Sequence, residues 1–314
     1  FNQIINQRQK TCFFVNKKLL IDGAFLRKEY EKTGSVRLLS RKYTLDRKYI
    51  RKLLIEEGTR LLSSLESIQL ANLKFEKTPC TTRVEERAYM YGFVLGDVHV
   101  HKKSSVTLRL VTHTTHETFV DLFKSIFERY GHVYCRYIEK SRSWRVSIDV
   151  DSESFSFLYL QGSSLPELVK RNFLSFLAGF VDAYGSIILR KSGKYFQYII
   201  RLCGEDGVLL KEIISCLQEM GISCSFFKNA TAGETRVLDG VTLTYNHDYY
   251  AFDICRKEEV IRLLRIIPLR HEEKIKKKDL LFRTYSRHLI YWDDVKSVVQ
   301  SFREQIRQKV QARS

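Results

Sequence analysis

The hydrophobic and polar positions of the chain repeat themselves from about residue 82 onward. The stretch YGFVLGDVHVHKKS matches AGFVDAYGSIILRK, so that Gly92 aligns with Gly179 and Asp97 aligns with Tyr184. Strand-like alternation and helix-like periodicity follow one another in the same order around both stretches. We therefore predict two α/β repeats, each ordered helix, two strands, helix, two strands, helix. The last helix is expected at SESFSFLYL in the first repeat and at KEEVIRLLRII in the second.

The N-terminal region has a different pattern. Apolar residues between positions 24 and 60 recur at helical spacing, which predicts three short helices around one small core. Gly34 and Ser35 separate the first two helices, and Asp46 is a suitable N-cap for the third. The short link before Asp46 indicates a helix-turn-helix.

The third of these helices would point basic side chains away from the small core. Arg47, Lys48 and Arg51 lie at its outward positions, where arginine suits guanine edges and lysine suits phosphates in a DNA major groove. A three-helix bundle used only for protein interaction is the alternative. This segment resembles the helix-turn-helix of resolvases and of many bacterial and phage DNA-binding proteins.

These patterns predict four regions. The basic N-terminal region with its helix-turn-helix covers residues 1–80, and the two repeats cover 81–170 and 171–285. Residues 286–314 form a basic helical tail. The fold class expected is α+β, with a small all-α domain before two pseudo-symmetric repeats.

Charge narrows the choice of partner. The chain has 53 Lys and Arg against 36 Asp and Glu, a formal charge of +17, which favours a polyanion such as nucleic acid. No run of about 18 uncharged apolar residues is present, so we expect no membrane segment. The seven scattered cysteines suggest reduced thiols in an intracellular compartment: a bacterial or phage-infected cytoplasm, or an organelle.

The aligned stretches also indicate a chemistry. A helix with Gly92 or Gly179 on its contact face has no side chain there to keep a second helix away. Two such helices would bring the residues at their C-terminal ends together. Two carboxylates at that point would need a divalent cation between them, an arrangement suited to phosphodiester hydrolysis.

LAGFVDAYGSI and YGFVLGDVHV resemble the two motifs of single-chain LAGLIDADG homing endonucleases, and the resemblance covers about residues 84 to 285. It implies an αββαββα fold in each repeat, with saddle-shaped antiparallel sheets in adjacent major grooves of double-stranded DNA. It also implies Mg²⁺ or Mn²⁺ as cofactor if the protein is catalytic, and a monomer built as a pseudo-dimer.

The resemblance assigns a metal ligand to the eighth motif position, which is Asp97 in the first copy and Tyr184 in the second. A phenol is a poor ligand for Mg²⁺, so we expect nicking, slow cutting or no cutting. Asp182, at the sixth position, is expected to serve helix packing. Lys257 falls where the family has its active-site lysine. Val98 stands where the second copy has Gly185, which suggests a different turn if glycine adopts a positive φ there.

A set of basic side chains on the strands and the C-terminal helices is expected to contact nucleic acid. Its members are Arg109, Arg136, Arg145, Arg201, Lys228, Lys274 and Lys277. Tyrosines such as Tyr134 and Tyr198 would add to this surface.

Two other functions suit the same residues. One is a non-catalytic DNA-binding regulator that kept the fold, which Tyr184 favours. The other is an RNA-binding maturase or ribonucleoprotein component, since basic sheets also serve RNA.

Overall fold

The computed structural model describes most of the chain, namely residues 21–63, 66, 75–159, 164–193, 195–238, 241–286 and 291–311. The chain divides into two compact units, Phe1–Glu76 and Lys77–Ser314. Among the described residues, no helix is long and apolar enough to cross a membrane.

The first unit contains three short helices. They are α1 (Gly23–Thr33), α2 (Val36–Tyr43) and α3 (Arg47–Glu56). Each begins after a residue whose side-chain oxygen accepts a hydrogen bond from a backbone N–H of the first turn. These N-caps are Asp22, Ser35 and Asp46. The helices bury one small core of Leu26, Tyr30, Leu39, Leu45, Ile50 and Leu54.

The second unit contains eight α-helices among its described residues. They are α4 (Val84–Asp97), α5 (Glu117–Phe127), α6 (Glu167–Arg171), α7 (Phe173–Tyr184), α8 (Gly207–Glu219), α9 (Lys257–Ile266), α10 (Glu272–Tyr285) and α11 (Trp292–Gln311). Its strands are β1 (His99–Ser104), β2 (Thr107–Thr114), β3 (Val133–Ile138), β4 (Ser143–Asp151), β5 (Ser186–Ser192), β6 (Tyr195–Gly204), β7 (Ser225–Ala230), β8 (Thr235–Leu238), β9 (Val241–Thr244) and β10 (Tyr249–Ile254).

Two antiparallel four-stranded sheets have the same topology. The first has the order β1-β2-β4-β3, and the second has the order β5-β6-β10-β7. Each sheet follows one of the two aligned helices, α4 or α7. The predicted α+β class, with two related repeats, is confirmed.

Two local predictions were wrong or incomplete. The helix expected at SESFSFLYL is a single 3₁₀ turn at Ser156–Tyr159. Its buried anchors, Phe155 and Leu158, are three residues apart, which matches the 3₁₀ repeat. The second repeat also has a β8–β9 hairpin between β7 and β10 that we did not predict, although its alternating residues on either side of an Asp-Gly pair are a hairpin signal.

Helices α4 and α7 pack against each other at the centre of the second unit, backbone to backbone. A Cβ atom on Gly92 would overlap the carbonyl oxygen of Phe176, and one on Gly179 would overlap the carbonyl oxygen of Tyr89. Neither carbonyl can move away without disturbing its own helix. Glycine is therefore required at both positions by space and not by backbone conformation.

Replacing either glycine tests this contact. Alanine stabilises an isolated helix by about 1 kcal/mol relative to glycine, so propensity alone predicts a gain. The overlap predicts that Gly92→Ala or Gly179→Ala lowers the free energy of unfolding by about 3 kcal/mol. Gly204→Ala is the control, because its Cβ would meet only a Leu210 methyl group at 3.9 Å. Denaturant unfolding of the three variants measures this, and equal effects would contradict the contact.

Candidate functional site

The C-terminal ends of α4 and α7 meet. A Cβ on Gly96 would lie 2.6 Å from the Cβ of Ala183 and 3.3 Å from that of Tyr184. Asp97 is the last residue of α4, and Tyr184 is the last residue of α7. The glycine contact therefore brings together the two side chains that the motif alignment pairs.

Asp97 is half-buried. The Thr112 hydroxyl donates a long hydrogen bond of 3.4 Å to its Oδ2. Burial raises the pKa of Asp97 to about 6, although the Thr112 hydrogen bond and the nearby His99 oppose the rise. Burial disfavours the charged form because the carboxylate loses hydration.

Tyr184 is hydrogen-bonded to a second tyrosine. Its hydroxyl pairs with the hydroxyl of Tyr249 at the start of β10. Burial raises the pKa of Tyr184, although the hydrogen bond with Tyr249 opposes the rise. The phenol therefore stays protonated at neutral pH, and the neighbouring strand holds it in place.

Asp182 points away from the helix ends and into the core. It is 1% exposed, and its Oδ2 accepts hydrogen bonds of 2.7 Å from the Tyr89 hydroxyl and from the backbone N–H of Arg270. Tyr89 lies on α4, so this bond crosses the helix pair. Asp182 therefore links the two motif helices to the chain just before α10.

Arg270 extends this link, and our sequence analysis missed it. Its guanidinium lies 3.9 Å from the centre of the Tyr89 ring and donates to both carboxylate oxygens of Glu86, at 2.8 and 2.6 Å. The next residue, His271, is 3% exposed, and burial lowers its pKa to about 4. No local sequence pattern marks these residues, because their partners are more than 80 positions away along the chain.

We had expected Lys274 to lie on an outward face, but the structure does not place it there. Its amino group donates a hydrogen bond to the backbone carbonyl of Gly185, directly after α7. Burial, together with the charge of Lys277, lowers the pKa of Lys274 to about 8. Helix α10 therefore supplies a cation to the C-terminal end of α7, where the helix dipole favours positive charge.

Lys257 also lies away from the helix ends. It is the first residue of α9, and its amino group is 5.1 Å from the ring centre of Tyr198 and 4.9 Å from that of Tyr285. Tyr198 is 1% exposed, so it cannot belong to the reading surface that we had predicted. These cation–π contacts hold Lys257 on the helix-covered side of the second sheet. Asp97 instead has Thr112 and His99 as neighbours.

The turn after each motif helix also differs from our expectation. Val98 has φ −125° and Gly185 has φ −70°, so both residues are extended and neither needs a positive φ. The two turns are alike in backbone despite the different residue types. A Cβ on Gly185 would lie 2.8 Å from the Cα of Val181, so space explains this glycine.

The side chains at the helix ends do not fit a two-carboxylate metal site. Mg²⁺ takes oxygen ligands and favours carboxylates. The helix ends offer the carboxylate of Asp97 and a neutral phenol. In the part of the chain that the structure describes, no group of three or more His, Cys, Asp or Glu side chains could hold a metal ion.

Two of the strand arginines are neutralised within their own sheets. Arg109 on β2 donates two hydrogen bonds to Asp149 on β4, at 2.6 and 2.8 Å. In the second sheet, Arg201 on β6 makes the same bidentate contact with Asp253 on β10, at 2.7 Å for both bonds. Each pair joins residues directly opposite in the strand register. Each aspartate binds the Nε and one terminal nitrogen of its arginine and offsets its positive charge.

The remaining predicted contact residues are exposed. Arg47, Lys48 and Arg51 lie on the solvent side of α3, and Arg136 and Arg145 lie on the outer face of the first sheet. Lys228 and Lys277 are partly exposed, and each forms an ion pair with a carboxylate. Lys228 is 2.6 Å from Asp248, and Lys277 is 2.8 Å from Glu273.

Comparison with known proteins gives few sequence matches and several structural ones. No family model matches the chain. An uncharacterized protein of Methanocaldococcus jannaschii, MJ0314, is 26% identical over 187 residues, which cover 57% of this chain and 69% of that protein. The chain is similar in structure to the LAGLIDADG homing endonuclease I-GzeII, solved in complex with its DNA target, with 12% identity and a TM-score of 0.42.

The I-GzeII match covers 68% of this chain and 96% of that protein. The homing endonuclease I-WcaI, solved bound to its DNA recognition sequence, has 15% identity and a TM-score of 0.44, over 62% of this chain and 86% of that protein. The fold class itself rests on the paired helices and on the two four-stranded sheets.

The raised pKa of Asp97 predicts a pH-dependent stability. A folded-state pKa of about 6 lies above the ordinary 3.8, so the folded chain holds this proton more tightly than the unfolded chain. Stability is therefore lost as the pH rises from 4 to 6. In metal-free buffer, we expect Asp97→Asn to raise the free energy of unfolding by about 1 kcal/mol at pH 8 and to leave it unchanged at pH 4. Urea unfolding at the two pH values measures this, and a difference that does not depend on pH would contradict it.

Proposed function

We propose that this protein binds double-stranded DNA at a specific site through its two sheets and that it does not make double-strand breaks. The observation that carries the proposal is the pairing of Asp97 with Tyr184 at the helix ends. One carboxylate and one neutral phenol replace the two acids that the motif resemblance implies. The scaffold for DNA recognition is thus kept, while half of the metal-binding chemistry is missing.

Charge and topology support DNA as the ligand. The formal charge of +17 favours a polyanion, and two sheets of the same topology suit the approximate two-fold symmetry of a pseudo-palindromic duplex. The exposed basic side chains of α3 support a second contact, through a helix-turn-helix in the first unit. Arg47 and Arg51 would then approach the duplex from one face of that helix.

The side chains near the helix ends support the absence of double-strand cleavage. Strand scission needs an activated water molecule and a stabilised leaving oxygen. The divalent cation of such a site would provide both effects. Tyr184 remains protonated beside Tyr249, and Asp182 is held by Tyr89 and Arg270. Neither can replace the missing ligand without breaking these contacts.

Selection from a random duplex pool, followed by a salt-dependent binding assay, tests the binding proposal. The full-length chain is expected to enrich one duplex. A plasmid that carries this duplex should give no linear product with the protein in Mg²⁺ or Mn²⁺. Binding should weaken steeply as salt rises, because counterions are released on association. Linear plasmid would contradict the loss of cleavage. Stronger binding to folded RNA than to duplex DNA at equal salt would contradict DNA as the ligand and favour the RNA-binding alternative.

Restoring the second carboxylate tests the explanation. We expect Tyr184→Asp to gain Mg²⁺-dependent strand breakage on the enriched duplex, and the further change Asp97→Asn to remove it. Tyr184→Phe is the matched control, since it also loses the bond to Tyr249 but adds no acid. Gel analysis of a supercoiled plasmid separates intact, nicked and linear DNA. Equal breakage by the Asp and Phe variants would show that the acid is not the cause.

A further inference from the structure

Two arginines face each other on the outer face of the first sheet. Arg136 on β3 lies directly opposite Arg145 on β4, and Arg145 lies directly opposite His113 on β2. All three side chains are exposed. A row of three basic residues therefore crosses three adjacent strands.

This row differs from the other arginines of the sheets. Arg109 and Arg201 each have an aspartate as the directly opposite residue and bind it with two hydrogen bonds. Among the described residues, no carboxylate lies within ion-pair distance of Arg136 or Arg145. Like charges directly opposite each other destabilise a sheet, so this arrangement has a cost that nothing in the described chain offsets.

The surroundings of the row suit an anion with several oxygens. Lys124 and Ser147 line the same recess as the two arginines, and the recess has a volume of about 510 Å³. Guanidinium groups bind phosphate oxygens in pairs, and an ammonium group adds a point charge. A bound phosphate group would supply the negative charge that no residue directly opposite these arginines provides.

Among the described residues of the second sheet, no two basic residues lie directly opposite each other. Lys228 pairs with Asp248 at 2.6 Å, and Arg190 donates to the side-chain oxygen of Gln197 at 2.6 Å. Arg201 is bound by Asp253 and also lies 5.4 Å from the ring centre of Phe227. On this sheet, Arg201 and Lys228 are therefore paired with carboxylates, whereas Arg190 contacts a neutral amide and Lys191 is exposed.

We propose that Arg136 and Arg145, with Lys124 beside them, form a phosphate clamp that holds the DNA backbone on the first sheet, while Arg201 and Lys228 make no phosphate contact. This inference rests on the proposed DNA binding. It makes the two sheets unequal, because Arg136 and Arg145 hold phosphate on the first sheet while Arg201 and Lys228 do not on the second.

The slope of log K against log salt on the enriched duplex tests the clamp. Each lost phosphate contact lowers the steepness of that slope by about 0.9. We therefore expect a decrease of about 0.9 for Arg136→Ala or Arg145→Ala, and of about 1.8 for the double variant. Arg136→Lys should keep most of the parent slope. The controls are Lys228→Ala and the paired change Arg201→Ala with Asp253→Ala, which should leave the slope unchanged.

Thermal unfolding without DNA gives a second readout. Because the two arginines repel each other, Arg145→Ala should unfold at the same temperature as the parent or higher in low salt, and any gain should shrink in 1 M salt. A parent chain that binds no duplex would contradict the proposed function. If the parent binds the duplex but Arg136→Ala and Arg145→Ala leave the slope unchanged, the clamp alone is overturned. The same holds if the control variants change the slope equally.

Discussion

The contact between α4 and α7 determines most of what this protein can do. Two helices approach so closely at Gly92 and Gly179 that backbone atoms take the place of side chains. This contact joins the two repeats in one unit and brings Asp97 and Tyr184 to a common point. Asp182, Tyr89 and Arg270 reinforce it by hydrogen bonds across the helix pair.

At that common point, the protein has one carboxylate and one neutral phenol where the motif resemblance implies two acids. Two carboxylates held this close would repel each other unless a cation lay between them. A tyrosine removes that repulsion, and its hydroxyl gains Tyr249 as a partner. The helix ends therefore need no cation between two acids, in agreement with the proposal that the protein makes no double-strand breaks. Lys274 also stabilises this point by neutralising the end of α7.

Much of the fold could be predicted from the sequence, because the repeat, the strand alternation and the motif glycines are local signals. The pairing of Asp97 with Tyr184 followed from aligning the two copies. The environments of the lysines could not be predicted in this way. Lys257 and Lys274 look like surface residues in sequence, but aromatic rings and a backbone carbonyl from distant segments surround their amino groups. Whether a strand arginine is free or neutralised likewise depends on register, which places Asp149 opposite Arg109 and Arg145 opposite Arg136.

Hydroxyl-radical footprinting of the full-length chain on its enriched duplex, read on both strands in Mg²⁺, tests the central claim most directly. The account predicts two protected segments, one for each sheet, and no staggered pair of breaks between them in a parallel sample without the radical. The absence of protection, or staggered breaks in both strands between the protected segments, would contradict it.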